Sequence, residues 1–111
     1  MGHPNLRLNA WEDEPKEVLL DYSVRTKRAL LIVAGQVEVR NDSAPKLSEV
    51  AAQNDRTAIL QLTLEAPPSV SGSPSWKPIW FEKIITPAQF TAIELIYENV
   101  SIKKMPIHLK Q

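Results

Sequence analysis

Apolar and polar residues alternate along most of this chain, and a period of two marks a strand with one buried face. Between Glu17 and Val24, the residues Val18, Leu20, Tyr22 and Val24 alternate with Leu19, Asp21 and Ser23. The polar stretch Arg25 to Arg28 then reads as a hairpin turn, although it lacks the glycine or asparagine of the tightest types. Ala29 to Arg40 is apolar on both faces at first, then alternates through Val37 and Val39. That pattern predicts a central strand, covered on both sides at one end and half exposed at the other. Gly35 inside it points to a bulge or to the close approach of another backbone.

Thr57 to Glu65 alternates cleanly, with Ala58, Leu60, Leu62 and Leu64 opposite Gln61, Thr63 and Glu65. Residues 66–75 hold Pro67, Pro68, Gly72, Pro74 and four serines, a composition that forms a loop. A strand is expected over Ile79 to Ile85, with Pro78 at its start. Met105, Ile107 and Leu109 alternate against Pro106 and His108, and the missing proline amide assigns them to an edge strand.

Two segments carry helical signals. Ser43 and Pro45 form a start signal, with Leu47, Val50 and Ala51 as a thin stripe, predicting a short helix near 45–53. Thr86-Pro87-Ala88-Gln89 matches a capping box, and Phe90, Ile93, Tyr97 and Val100 follow at helical spacing. A helix over 87–99 is therefore expected, although Ile93, Leu95 and Tyr97 also alternate as a strand would. The resulting fold class is α+β, a mostly antiparallel sheet of about five strands with one or two helices. The alternative is an all-β sandwich in which 91–100 pairs as a strand.

The length of 111 residues suits a single domain, 1–111, able to bury a core without disulfides or metals. Residues 1–10 are expected to be disordered, or foreign to the native chain at their start, so Met1, Gly2 and His3 bear no weight. Basic and acidic residues balance at 13 each, without the positive excess that phosphate contacts demand, so nucleic-acid binding is not expected. Arg25, Lys27 and Arg28 cluster, as do Glu12, Asp13, Glu14 and Glu17, in the manner of solvated turns. The absence of cysteine removes disulfides, thiolate zinc sites and cysteine nucleophiles. No apolar h-region opens the chain, and the run from Ala29 to Gly35 is too short to span a bilayer. The expectation is a cytoplasmic protein without membrane attachment; a secreted form with its leader removed would read the same.

Catalytic chemistry finds little support. His108 is the only imidazole outside the first three residues, and it lacks convergent partners. Glu94 and Glu98 would share a helical face, as they would on any solvated helix. No phosphate-cradling, zinc-helix or nucleophile-elbow motif occurs. Two sequons, Asn41-Asp42-Ser43 and Asn99-Val100-Ser101, match a pattern common by chance. No cofactor or metal site is expected.

The tryptophans are more informative. Trp11, Trp76 and Trp80 are three of seven aromatics, and Trp76 and Trp80 bracket Lys77-Pro78 at a loop–strand junction. With Ile79 and Phe81 turned inward, Trp80 would point away from the core. An exposed indole stacks on sugars or proline-rich peptides and is enriched at interaction hot spots. The alternative is that both rings cover the core beneath the long loop. Trp76, Trp80, Trp11 and Tyr97 are thus the candidate binding residues of a non-catalytic interaction domain, whose partner is another protein or a second copy. The rival class is a small-ligand or enzymatic domain, with a pocket between helix and sheet using Tyr22, Tyr97, Glu94 or Trp80.

Overall fold

The computed structural model describes residues 4–21, 24–40, 44–50, 56–64 and 73–109. Among them there is no helix, and two sheets face each other across one core, so the α+β expectation is corrected to the all-β alternative. The strands are β1 (Leu6–Glu12), β2 (Lys16–Asp21), β3 (Val24–Arg40), β4 (Lys46–Val50), β5 (Thr57–Thr63), β6 (Pro74–Ile85), β7 (Ala92–Tyr97), β8 (Val100–Pro106) and β9 (His108–Leu109).

The spine is β3. One of its edges pairs antiparallel with β6, from Ala29 opposite Ile85 to Arg40 opposite Pro74. The other edge is shared end to end by β1 and β2, both antiparallel to it. Asp13 keeps the ladder going between them by donating its amide to the Leu30 carbonyl at 3.0 Å. Arg25–Arg28, read as a turn, therefore lies inside β3 opposite β2. At roughly 3.4 Å per residue, 17 residues span about 58 Å, and the molecule's longest dimension is 57 Å against 24 Å in the other two. Its radius of gyration of 16.0 Å exceeds the roughly 13 Å of a compact chain this long. The β2–β3 ribbon is the projecting part.

Odd-numbered residues of β3 face inward. Ala29, Leu31, Val33, Val37 and Val39 are buried against Ala58, Leu60 and Leu62 of β5 and Ile93, Leu95 and Tyr97 of β7. Their parity never breaks, so Gly35 marks no bulge. It marks a close approach instead: a Cβ there would sit 1.9 Å from the Arg7 carbonyl oxygen of β1. The second sheet runs β4-β5-β7-β8, with β5 and β7 parallel and the other pairs antiparallel. The chain returns to the first sheet at Ile107, where β9 lies parallel to β1 and pairs Trp11 with His108.

Both expected helices are strands or turns. Lys46–Val50 is β4, paired with β5; the rest of 45–53 beyond Val50 lies outside the described residues. The thin helical stripe is split by the strand: Leu47, opposite Leu62, packs against the core, while Val50, opposite Ile59, falls on the other face. At 87–99 only half of the capping box forms, because the Thr86 hydroxyl accepts from Arg28 instead, and it closes a single turn. The Gln89 amide donates to the Thr86 carbonyl, and the Thr86 amide donates to Gln89 Oε1, each at 3.0 Å. Ala88 then adopts φ 60°, which a helix cannot continue through. Its N–H goes to the buried carboxylate of Glu12, at 3.1 and 3.3 Å to the two oxygens. Beyond it the period-two pattern wins, since Ile93, Leu95 and Tyr97 all reach the core from one face of β7. Glu98 and Asn99, with φ 52° and 65°, make the two-residue turn into β8.

Candidate functional site

The outward positions of the first sheet follow from its register. Across β1, β3 and β6 they form transverse rows: Trp11–Ile32–Glu82, Asn9–Ala34–Trp80 and Arg7–Gln36–Pro78, with Trp76 beside Glu38 at one end and Ile84 beside Leu30 at the other. All three tryptophans of the chain therefore share one face, opposite to the core. Strands from both halves of the sequence build it, because β3 brings β1 and β6 to its two edges.

Trp80 is 56% exposed and Trp76 37%, while Trp11 is half-buried. The Trp11 and Trp80 rings meet edge to face, with centroids 6.3 Å apart and planes 81° from each other. Ile32 lies beside Trp11 in the register and is buried although it belongs to the outward face. Part of this aromatic surface thus shelters apolar side chain, and part of it remains open. The Trp11 Nε1–H is buried and finds no acceptor among the described residues. Arg7 lays its guanidinium over the Trp76 ring at 4.6 Å, a cation–π contact that covers one indole face. Glu38 is engaged by Asn5 at 3.2 Å. Ile84, at 69% exposure, extends the apolar surface toward the β2–β3 ribbon.

Of the residues expected from sequence, Trp11, Trp76 and Trp80 come together, and Trp80 does turn away from the core as its neighbours' alternation implied. Tyr97 lies apart, buried in β7 among the core residues of the second sheet. Burial, with the adjacent Glu98 carboxylate, raises its phenol pKa above the ordinary value. Glu94 sits on β7 and Glu98 in the following turn, so the shared helical face expected for them does not exist. The pocket envisaged between helix and sheet likewise has no helix to form against among the described residues. Arg7, Asn9 and Ile84 were not singled out in the sequence. The signal for the first two was present: Leu6, Leu8 and Ala10 alternate with Arg7, Asn9 and Trp11.

Two clefts flank the root of β2. One of about 370 Å³ is lined by Glu12, Asp13, Glu14, Pro15, Pro87, Ala88 and Leu109. The other, about 270 Å³, lies between Asp13, Lys16, Arg28 and Ile84. Glu12 is already committed to the Ala88 amide, and no group of three or more metal-ligating side chains occurs among the described residues. No helix of the described residues is long and apolar enough to cross a membrane. No family model, curated protein or solved structure matches the chain.

Proposed function

We propose that this domain is a non-catalytic binding module whose working surface is the outward face of β1, β3 and β6. The observation that supports this reading is the gathering of Trp11, Trp76 and Trp80, drawn from two distant stretches of sequence, on the solvent side of one sheet. An indole left more than half exposed forgoes hydrophobic stabilisation that burial would supply, on the order of 2–3 kcal/mol for a side chain this large. A surface that keeps Trp80 open and surrounds it with polar side chains has the layout of a hot spot with its rim.

The test is a mixed array of oligosaccharides and linear peptides, probed with labelled wild-type protein, Trp80→Ala and Lys103→Ala. Lys103 is exposed on β8, in the other sheet. Signals lost in Trp80→Ala and kept in Lys103→Ala support the assignment. Signals kept in all three proteins, or no signal at all, refute it.

A further inference from the structure

Resting on the binding-module reading, we infer that the Trp80 end of this face is a subsite for a neutral sugar ring of a glycan. Trp80 supplies an apolar stacking surface, and its cross-strand neighbour is Ala34, whose single methyl leaves the indole unobstructed. Trp11 stands nearly perpendicular to it, so the two rings form a corner rather than a flat platform. Around that corner the register places Asn9 across the sheet, Gln36 on the diagonal and Glu82 one step along β6. All three are exposed, and none of their side chains has a hydrogen-bond partner among the described residues. Same-face positions lie about 7 Å apart along a strand and about 5 Å across strands. Glu82 and Gln36 thus lie about 7–9 Å from Trp80 and Asn9, two strands away, about 10 Å, so a pyranose ring on Trp80 turns its hydroxyls toward Glu82 and Gln36 and the next sugar unit reaches Asn9.

The polar chemistry chooses among ligands that stack on indole. Glu82 is acceptor-only, so it needs a ligand that donates, and two side-chain amides accept and donate together. Sugar hydroxyls do both. A proline-rich segment offers carbonyl acceptors and few donors, and the donor best suited to it, the Trp11 Nε1–H, is buried. Anionic ligands are disfavoured, because Glu82 repels them and Arg7 is held on the Trp76 ring. Nucleic acid fails on the same grounds. A neutral, hydroxyl-rich glycan offers partners to the exposed polar groups at the corner.

The experiment is titration of tryptophan fluorescence with neutral tetrasaccharides built on glucose, mannose, galactose and N-acetylglucosamine, alongside a decaproline peptide. The expected result is saturable binding of at least one sugar, weakened tenfold or more by Trp80→Ala and three- to tenfold by Glu82→Gln. The melting temperature of Glu82→Gln should match the wild type, while Trp80→Ala, which loses the edge-to-face contact with Trp11, should melt several degrees lower with its transition still cooperative. Trp76→Ala should weaken binding less than Trp80→Ala. Saturable decaproline binding lost in Trp80→Ala, with no sugar bound, overturns the sugar assignment and leaves the binding face intact. Sugar affinity unchanged in Trp80→Ala overturns the subsite. Absence of both ligands overturns the sugar assignment; whether the face binds anything else is decided by the array.

Discussion

Replacing Gly35 with alanine should damage both the fold and the aromatic face. The added Cβ would lie 1.9 Å from the Arg7 carbonyl oxygen, 2.9 Å from its carbon and 3.0 Å from the Leu8 Cα. All three are backbone atoms, so no side chain can rotate away, and β1 must retreat by about 1.1 Å to restore a 3.0 Å contact. A ladder bond near 2.9 Å stretched that far leaves the hydrogen-bonding range. Losing about two such bonds costs about 2 kcal/mol, and residual overpacking adds about 1–3 kcal/mol. The expected loss is about 3–5 kcal/mol, a large share of the roughly 5–15 kcal/mol that holds a domain together. Urea unfolding followed by tryptophan fluorescence measures it, with the midpoint falling and the slope unchanged. Because β1 carries Trp11, the near-ultraviolet dichroism of the Trp11–Trp80 pair should change as well. A loss below about 1 kcal/mol with an unaltered dichroism spectrum would refute the close-approach argument.

Glu12→Ala removes the acceptor for the Ala88 amide and should cost about 1–3 kcal/mol in chemical denaturation. Faster exchange of the Ala88 amide by NMR would locate the damage, and an unchanged rate would count against it. Ala88→Gly relieves a left-handed backbone and should raise stability by about 0.5–1 kcal/mol, read as a higher melting temperature. Tyr97 gives a pH signature. Its phenol pKa is raised in the folded state, by burial first and by Glu98 second. Its contribution is therefore complete below about pH 10, where the unfolded phenol begins to ionise, and is lost as pH rises through the folded-state value. Tyr97→Phe should flatten the stability profile above about pH 10; an equally steep profile would assign the alkaline loss to another group.

The strands with the purest alternation were legible, because one buried face imposes period two and nothing competes with it. β5, the Ile79–Ile85 part of β6 and the core-facing half of β3 belong to this class, whereas Pro74 and Ser75, read as loop, extend β6 opposite Arg40 and Val39. The 86–100 segment was harder, since only the return half of its capping box forms, from the Thr86 amide to Gln89, and the helix it announces never does. The decision is tertiary: Glu12, remote in sequence, holds the Ala88 amide, and the second sheet needs Ile93, Leu95 and Tyr97 on one face. The tryptophan face was half legible. Period two around Trp80 predicts its outward turn, but only the pairing of β1 with β3 brings Trp11 and Arg7 beside it. No local pattern in Leu6–Glu12 specifies that partner.

The position of β3 also dictates when this protein can fold. Its edges are completed by strands made long before and long after it, since Ala29 waits for Ile85 and Trp11 waits for His108. A nascent chain that has only reached Arg40 can close the β1–β2–β3 hairpin, yet Leu31, Val33, Val37 and Val39 then have no second sheet to cover them. Nonlocal pairings of this kind put folding in the millisecond-to-second range. The pairing of β9 with β1 joins Trp11 to His108 across most of the sequence, and it sets the edge of the same strand that carries Trp11.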